Sequence, residues 1–277
     1  MYPRPHETET IRPKQGAFTL IELCVVIATV AVLAAVLLPA LAGTRTDMQT
    51  VQARNNLRQL TAGWTMYAGD NRDKLATNAG LSEQSANSND PRFQPGGAWS
   101  QWCPGRMNMN NEAWSTDWIK VGEVYPYVND PAVYHDPSDR SRWPLGASYG
   151  HLRVRSFSMN CWLNPLPSAD WNSIKGYTGT NMLRVFRKLS SIDIPGGTSQ
   201  LWIFISEEPT TINDGLFVCD PHLEQWVDLP ATCDGGGSCI SYADGHVDTK
   251  FWHYQNVPST ADLHWLQQRS TVLDSAN

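Results

Sequence analysis

No H-E-x-x-H pair and no glycine-rich phosphate loop occurs in the sequence. Without them, His246 with Asp244 and Ser241, or His151 with Asp170, are triplets that common residue types produce by chance. The chain reads as a non-enzyme. It also lacks a basic stripe: 27 acidic against 21 basic residues give a net charge of −6, which argues against nucleic acid. No internal repeat is present. Cys233 and Cys239, with His246 and His253 nearby, have a C-x5-C spacing that is not a usual zinc-finger spacing. Long apolar runs are missing too, with one exception.

That exception is GAFTLIELCVVIATVAVLAAVLLPALAG. From Phe18 to Ala42 it supplies 25 almost unbroken apolar residues, and about 20 suffice for a helix to cross the hydrocarbon core. The leader before it holds Arg4, Arg12 and Lys14 against Glu7 and Glu9. The chain after Ala17 has 18 basic and 25 acidic residues. Basic residues stay on the cytoplasmic side, so the expectation is one inner-membrane pass with the C-terminal domain in the periplasm. A cleaved signal peptide fits poorly, because the run is too long and no A-x-A site follows it. Glu22 is the anomaly, since a lone carboxylate in lipid costs several kcal/mol unless it is paired.

KQGAFTLIELCVVIATVAVLAAVLLPAL resembles the N-terminus of type IV pilin-like proteins, the pilins and type II secretion pseudopilins. The resemblance implies a prepilin peptidase that cuts after Ala17, or alternatively after Gly16, and methylates the new N-terminus, which is Phe18 for a cut after Ala17. It also implies that Glu22 meets the Phe18 ammonium of a neighbouring subunit, making Phe18 and Glu22 assembly residues. Pro39, with Gly43, marks a place where the helix loosens on packing. Later pieces, among them GWTMYAGDNRDKL, DPSDR, INDGLF and SYADGHVDTKFW, resemble the large pseudopilin-like proteins with an H-x9-DG signature. Two departures stand out: Asp234 occupies the histidine position, and Asp136 stands where many relatives have cysteine.

Beyond the apolar run, Met48, Val51, Leu57, Leu60, Trp64 and Tyr67 recur mostly at steps of three and four, an amphipathic pattern that Gly69-Asp70-Asn71 ends. The expected organisation is a leader over 1–17, an apolar assembly helix over 18–42, its amphipathic extension over 43–69 and a globular domain over 70–277. NAGLSEQSANSNDPRFQPGG reads as a surface loop. Trp99, Trp102, Trp114 and Trp118 follow, and such a cluster more often fills a core than stacks on sugar. Strands are expected in SQLWIFIS, DGLFVC and SCISYADGHVDTKFW, the last a hairpin turning at Asp244-Gly245. Its Ile240, Tyr242, Val247 and Phe251 leave one face for the helix. The fold class is therefore α+β: a long N-terminal helix, membrane-spanning then amphipathic, packed on a C-terminal antiparallel sheet with long loop insertions.

Cys233 and Cys239 flank DGGGS and are the favoured disulfide, with any second pairing open. Asp214, Asp234 and Asp244 are oxygen ligands of the kind calcium prefers, and major pseudopilins hold calcium in a C-terminal loop. Turn geometry explains the Asp-Gly steps equally well, and no D-x-D-x-D-G loop is present, so no cofactor is assigned and calcium stays the alternative. The expected partners are further copies in a filament, other pseudopilins, the prepilin peptidase, an inner-membrane assembly platform and membrane lipid. The functional expectation is a structural subunit of a type II secretion pseudopilus or type IV pilus-like filament. The alternative is an anchored or filament-tip module that recognises polysaccharide through its tryptophan-rich domain.

Overall fold

The computed structural model describes residues 19–80, 87–144, 149–166, 183–232, 236–253 and 258–272, and every side chain among them except those of 36–47. The chain divides into two compact units, Met1–Arg45 and Thr46–Asn277. Helix α1, assigned to Leu20–Asp70, begins in the first unit and ends in the second.

Two parts of the expected fold are corrected here. Among the described residues no helix is long and apolar enough to cross a membrane. The apolar stretch with described side chains is 20–35, shorter than the ~20 residues a crossing needs. This finding overturns both the membrane-spanning first half of the helix and the single-pass inner-membrane placement. The unit boundary at Arg45/Thr46 falls within the bounds of α1, so its two stretches are described separately. The second correction concerns the sheet, which is mixed, not antiparallel.

In the second unit, Ala53, Leu57, Leu60, Trp64 and Ala68 form a fully buried stripe along α1 at steps of three and four. The expected stripe included Met48 and Val51, yet both are exposed. Two alanines take their place, because small side chains let the helix lie close to its neighbours. Gly63 serves the same end, since a Cβ there would lie 2.6 Å from Val128 Cγ2. Val128 belongs to α3 (Tyr125–Val128), which follows α2 (Thr116–Lys120). The helix stops at Asp70, where Asp73 N–H donates back to Ala68 O at 2.9 Å.

Arg142–Trp143 (β1) and His151–Leu152 (β2) form a small antiparallel pair. The main sheet comprises β3 (Phe157–Asn160), β4 (Trp202–Ser206), β5 (Leu216–Phe217), β6 (Gly237–Tyr242) and β7 (Val247–Phe251), in the order β5-β3-β4-β6-β7. The β3–β5 pair is parallel and the other pairs are antiparallel. Strands β3, β4 and β6 are buried along their whole length, as strands covered on both faces must be.

One cover is the α1 stripe, which shares a core with Phe157, Met159, Ile203, Phe204, Cys239 and Val247. The other is the C-terminal helix α4 (Thr260–Gln267), whose Leu263 and Leu266 pack with Trp202, Ile205, Ile240 and Tyr242. Ile240 and Tyr242 therefore face α4, not the long helix as expected. Val247 joins the α1 core, while Phe251 is exposed. Trp102 and Trp118 are buried, while Trp99 and Trp114 are half-buried. The expected loop is only partly a surface feature, because Asn78 is fully buried and donates to Met159 O and Asn160 O at 3.1 Å each.

The β6–β7 turn also differs from the expected two-residue type. Gly245 N–H donates to Tyr242 O at 2.9 Å and Tyr242 N–H to His246 O at 3.0 Å. Gly245 has φ 92°. This is a three-residue loop, a type I turn followed by a left-handed glycine bulge. Asp244 needs no positive φ, and only Gly245 carries the conformational demand.

Two outcomes follow for urea unfolding. Leu60→Ala should cost about 2–5 kcal/mol, since it opens a cavity in the helix–sheet core. Gly245→Val should cost about 1–3 kcal/mol by backbone strain alone, because nothing lies within 4 Å of the added Cβ. His246→Ala should cost less than Gly245→Val, and the reverse order would refute the turn assignment.

Candidate functional site

The motif around Glu22 is described from Thr19 onward; Gly16, Ala17 and Phe18 lie outside the described residues. Thr19 Oγ1 accepts from Glu22 N–H at 3.2 Å. Glu22 Oε2 accepts in return from Thr19 N–H and from Thr19 Oγ1, each at 2.8 Å. Reciprocal bonds of this form are a capping box, which satisfies backbone donors that the first helical turn leaves over. The T-x-x-E spacing is a helix-start signal legible in the sequence. Both bonds end on Oε2, and Oε1 has no hydrogen bond among the described residues. Leu20, Ile21, Leu23, Val25, Val26, Ile27, Val30, Val32 and Leu33 are all about half or more exposed. At 100° per residue they point to every side of the helix. The bounds of α1 pass across Pro39 and Gly43, and the Pro39 side chain lies outside the described ones.

The three calcium candidates are not brought together by anything described. Asp214 Oδ1 accepts from Leu216 N–H at 2.8 Å, beside the start of β5. Asp244 sits at the hairpin tip with Oδ1 2.5 Å from His246 Nδ1. Asp234 lies outside the described residues. Among the described residues no group of three or more His, Cys, Asp or Glu is placed to hold a metal ion. Cys239 is buried in β6, 3.8 Å from Thr249 Oγ1, and Cys233 lies outside the described residues. The triplet at the hairpin does not assemble: the His246 ring stacks on Tyr242 with centroids 4.1 Å apart. Ser241 Oγ instead accepts from Phe204 N–H at 3.3 Å inside the sheet. Asp136 is fully buried. It accepts from Ser138 N–H and Oγ through Oδ1 and from Ser206 Oγ through Oδ2 at 2.9 Å.

A buried charged network behind β3 and β4 went unnoticed in the sequence. Arg155 is fully buried and donates to Phe157 O, Asp214 O and Gly105 O at 3.1, 2.7 and 3.0 Å. Glu207, just past β4, is buried with neither carboxylate oxygen meeting a donor in good geometry. Burial, then the nearby Asp228 and Asp214 charges, push its pKa well above the usual carboxylate range; Ser158 and Arg155 oppose this. Asp228 accepts from Val218 N–H at 2.6 Å, and burial pushes its pKa up to about 8. Two like charges in a low-dielectric interior disfavour joint ionisation, which adds to the upward shift of both carboxyls. Loop carboxylates carry no burial signal in a sequence, which is why these two were invisible.

No protein-family model, no characterised protein and no solved structure matches this chain.

The raised Asp228 pKa fixes the sign of a pH effect. A carboxyl whose folded pKa of about 8 exceeds its ordinary 3.8 gives stability that is full below about pH 4 and lost as pH rises through about 8. Unfolding free energy should therefore fall over that window by up to about 1.4 kcal/mol per pH unit. Asp228→Asn keeps an acceptor for Val218 and should flatten the slope. Urea titrations at pH 5, 7 and 9 that run parallel for wild type and variant would refute the assignment.

Proposed function

We propose that this chain is a pilin-like subunit, processed by a prepilin peptidase, that assembles side by side with further copies and related subunits through the start of α1. The observation that supports the reading is the helix surface from Leu20 to Leu33, apolar on all sides and exposed. Exposed apolar surface of this extent demands cover. A single partner would cover one stripe of it, whereas a bundle of like helices covers every side. Glu22 is the one charge on that surface. One of its oxygens caps its own helix, and the other is left for the cationic N-terminus of a neighbouring copy.

The polysaccharide alternative draws less support. Trp102 donates its indole N–H to Gly215 O at 2.9 Å and stacks on Tyr134 in the core. Trp118 meets Phe93 edge to face. Neither presents a ring face to a sugar.

Processing and assembly have separable tests. Intact-mass analysis should find a mature chain of 260 residues beginning at N-methylated Phe18, after loss of the first 17 of 277; an unprocessed Met1 chain would refute it. Glu22→Gln keeps an acceptor for the cap but removes the charge, and Thr19→Val does the converse. If the charge pairs between copies, Glu22→Gln lowers filament yield in sheared-cell preparations as severely as Glu22→Val, and Thr19→Val has the milder effect. A normal filament yield from Glu22→Gln would leave the residue with its cap alone.

A further inference from the structure

A cavity of about 350 Å³ opens beside the chain that follows α1. Its charged lining is Lys74, Arg187 and Lys188, and among the described residues no acid lines it. On a chain with net charge −6 that local excess is against the overall trend. The backbone enforces it. Lys74 and Lys188 form an antiparallel bridge, fixed by Leu75 N–H to Arg187 O at 3.0 Å and Leu189 N–H to Asp73 O at 2.9 Å. Residues directly opposite in such a bridge project to the same face, and like charges there repel. Arg187 adds a third cation. Its Nη1 donates to Asn164 Oδ1 at 3.2 Å and Pro165 O at 3.3 Å, which holds the guanidinium at the wall.

Acids nearby do not relieve the repulsion. The Asp73 carboxylate is taken by Ser190 N–H and its hydroxyl. Buried Glu123 feels the Lys74 charge, yet it accepts from Thr77 N–H at 2.7 Å and Ser100 Oγ at 2.9 Å. None of the three cations forms an ion pair with an acid among the described residues. Delivery of Lys74 also requires Arg72 and Asp73 to hold φ of 58° and 70°, a left-handed pair without glycine. Such strain persists where the surroundings over-determine it, as at ligand clamps.

We propose that this cavity binds a phosphorylated small molecule of about sugar size. Three converging cations suit a dianion better than a single carboxylate, and the guanidinium fork matches phosphate oxygens. Pro165 and Leu166 give the organic body an apolar wall. The volume lies in the range of small-molecule sites, about 300–1,000 Å³.

The test uses the full chain at constant ionic strength, with titration calorimetry and thermal midpoints. The probes are glucose 6-phosphate, inorganic phosphate, glucuronate and glucose. Glucose 6-phosphate should bind and raise the midpoint, glucuronate should bind at least tenfold more weakly, and glucose should not bind. Phosphate binding as tightly as its ester would assign the site to the free ion and keep the dianion chemistry. Lys74→Gln/Lys188→Gln should weaken binding at least tenfold while raising the ligand-free midpoint, because the opposed charges are gone. Lys188→Gln alone, at an exposed position, should do the same to a smaller degree and covers the case in which the double variant fails to fold. No binding by wild type, equal binding of glucuronate and glucose 6-phosphate, or binding undiminished in Lys188→Gln would overturn the proposal.

Discussion

Burial of the α1 stripe organises the second unit. Leu57, Leu60 and Trp64 share a single core with Phe157 and Met159 of β3 and with Ile203 and Phe204 of β4. Each large apolar side chain taken out of water contributes about 1.5–3 kcal/mol. Polar contacts then fix the helix against its surroundings: Arg54 donates to Val247 O at 3.1 Å and Asn56 to His135 O at 2.9 Å. With one sheet face committed to this helix, the other needed α4, whose Leu263 and Leu266 complete the cover.

The loops that surround this framework have polar interiors. Asn160 donates to Trp202 O and Ser270 O, joining β3 to β4 and to the chain after α4. Asn78 and Asp136 do comparable work for segments that have little regular structure of their own. A buried backbone carbonyl without a donor is costly, and side-chain amides meet that need where ladders end. Glu207 and Asp228 are the exception: their acidity is suppressed by burial, and stability is thereby tied to pH.

Glu22 caps the start of α1, a role that its intramembrane-like setting in the sequence does not suggest. Its capping role is intramolecular and depends on Thr19. Its remaining charge lies on a surface with no other polar anchor, where a neighbouring ammonium would be the complement. The same residue starts the helix and, in the proposed function, marks its register for assembly.

What the sequence determined by itself was local. The helix stop at Gly69-Asp70-Asn71 and the positions of β4, β5, β6 and β7 follow from turn chemistry and short apolar runs, which act over a few residues. The N-terminal resemblance on which the proposed function rests is also a pattern within one segment. Tertiary structure decided which face each element buries. The pattern Ile240, Tyr242, Val247 and Phe251 reads as one apolar face, yet Ile240 and Tyr242 pack with α4 and Val247 joins the α1 core. Met48 and Val51 fit the helical period as well as Ala53 and Ala68 do, yet only the alanines are buried. The parallel β3–β5 pair, the buried Glu207–Asp228 acids and the opposed Lys74 and Lys188 likewise join residues far apart in the chain. Contacts of that kind depend on how the chain returns on itself, and periodicity within one segment carries no information about that return.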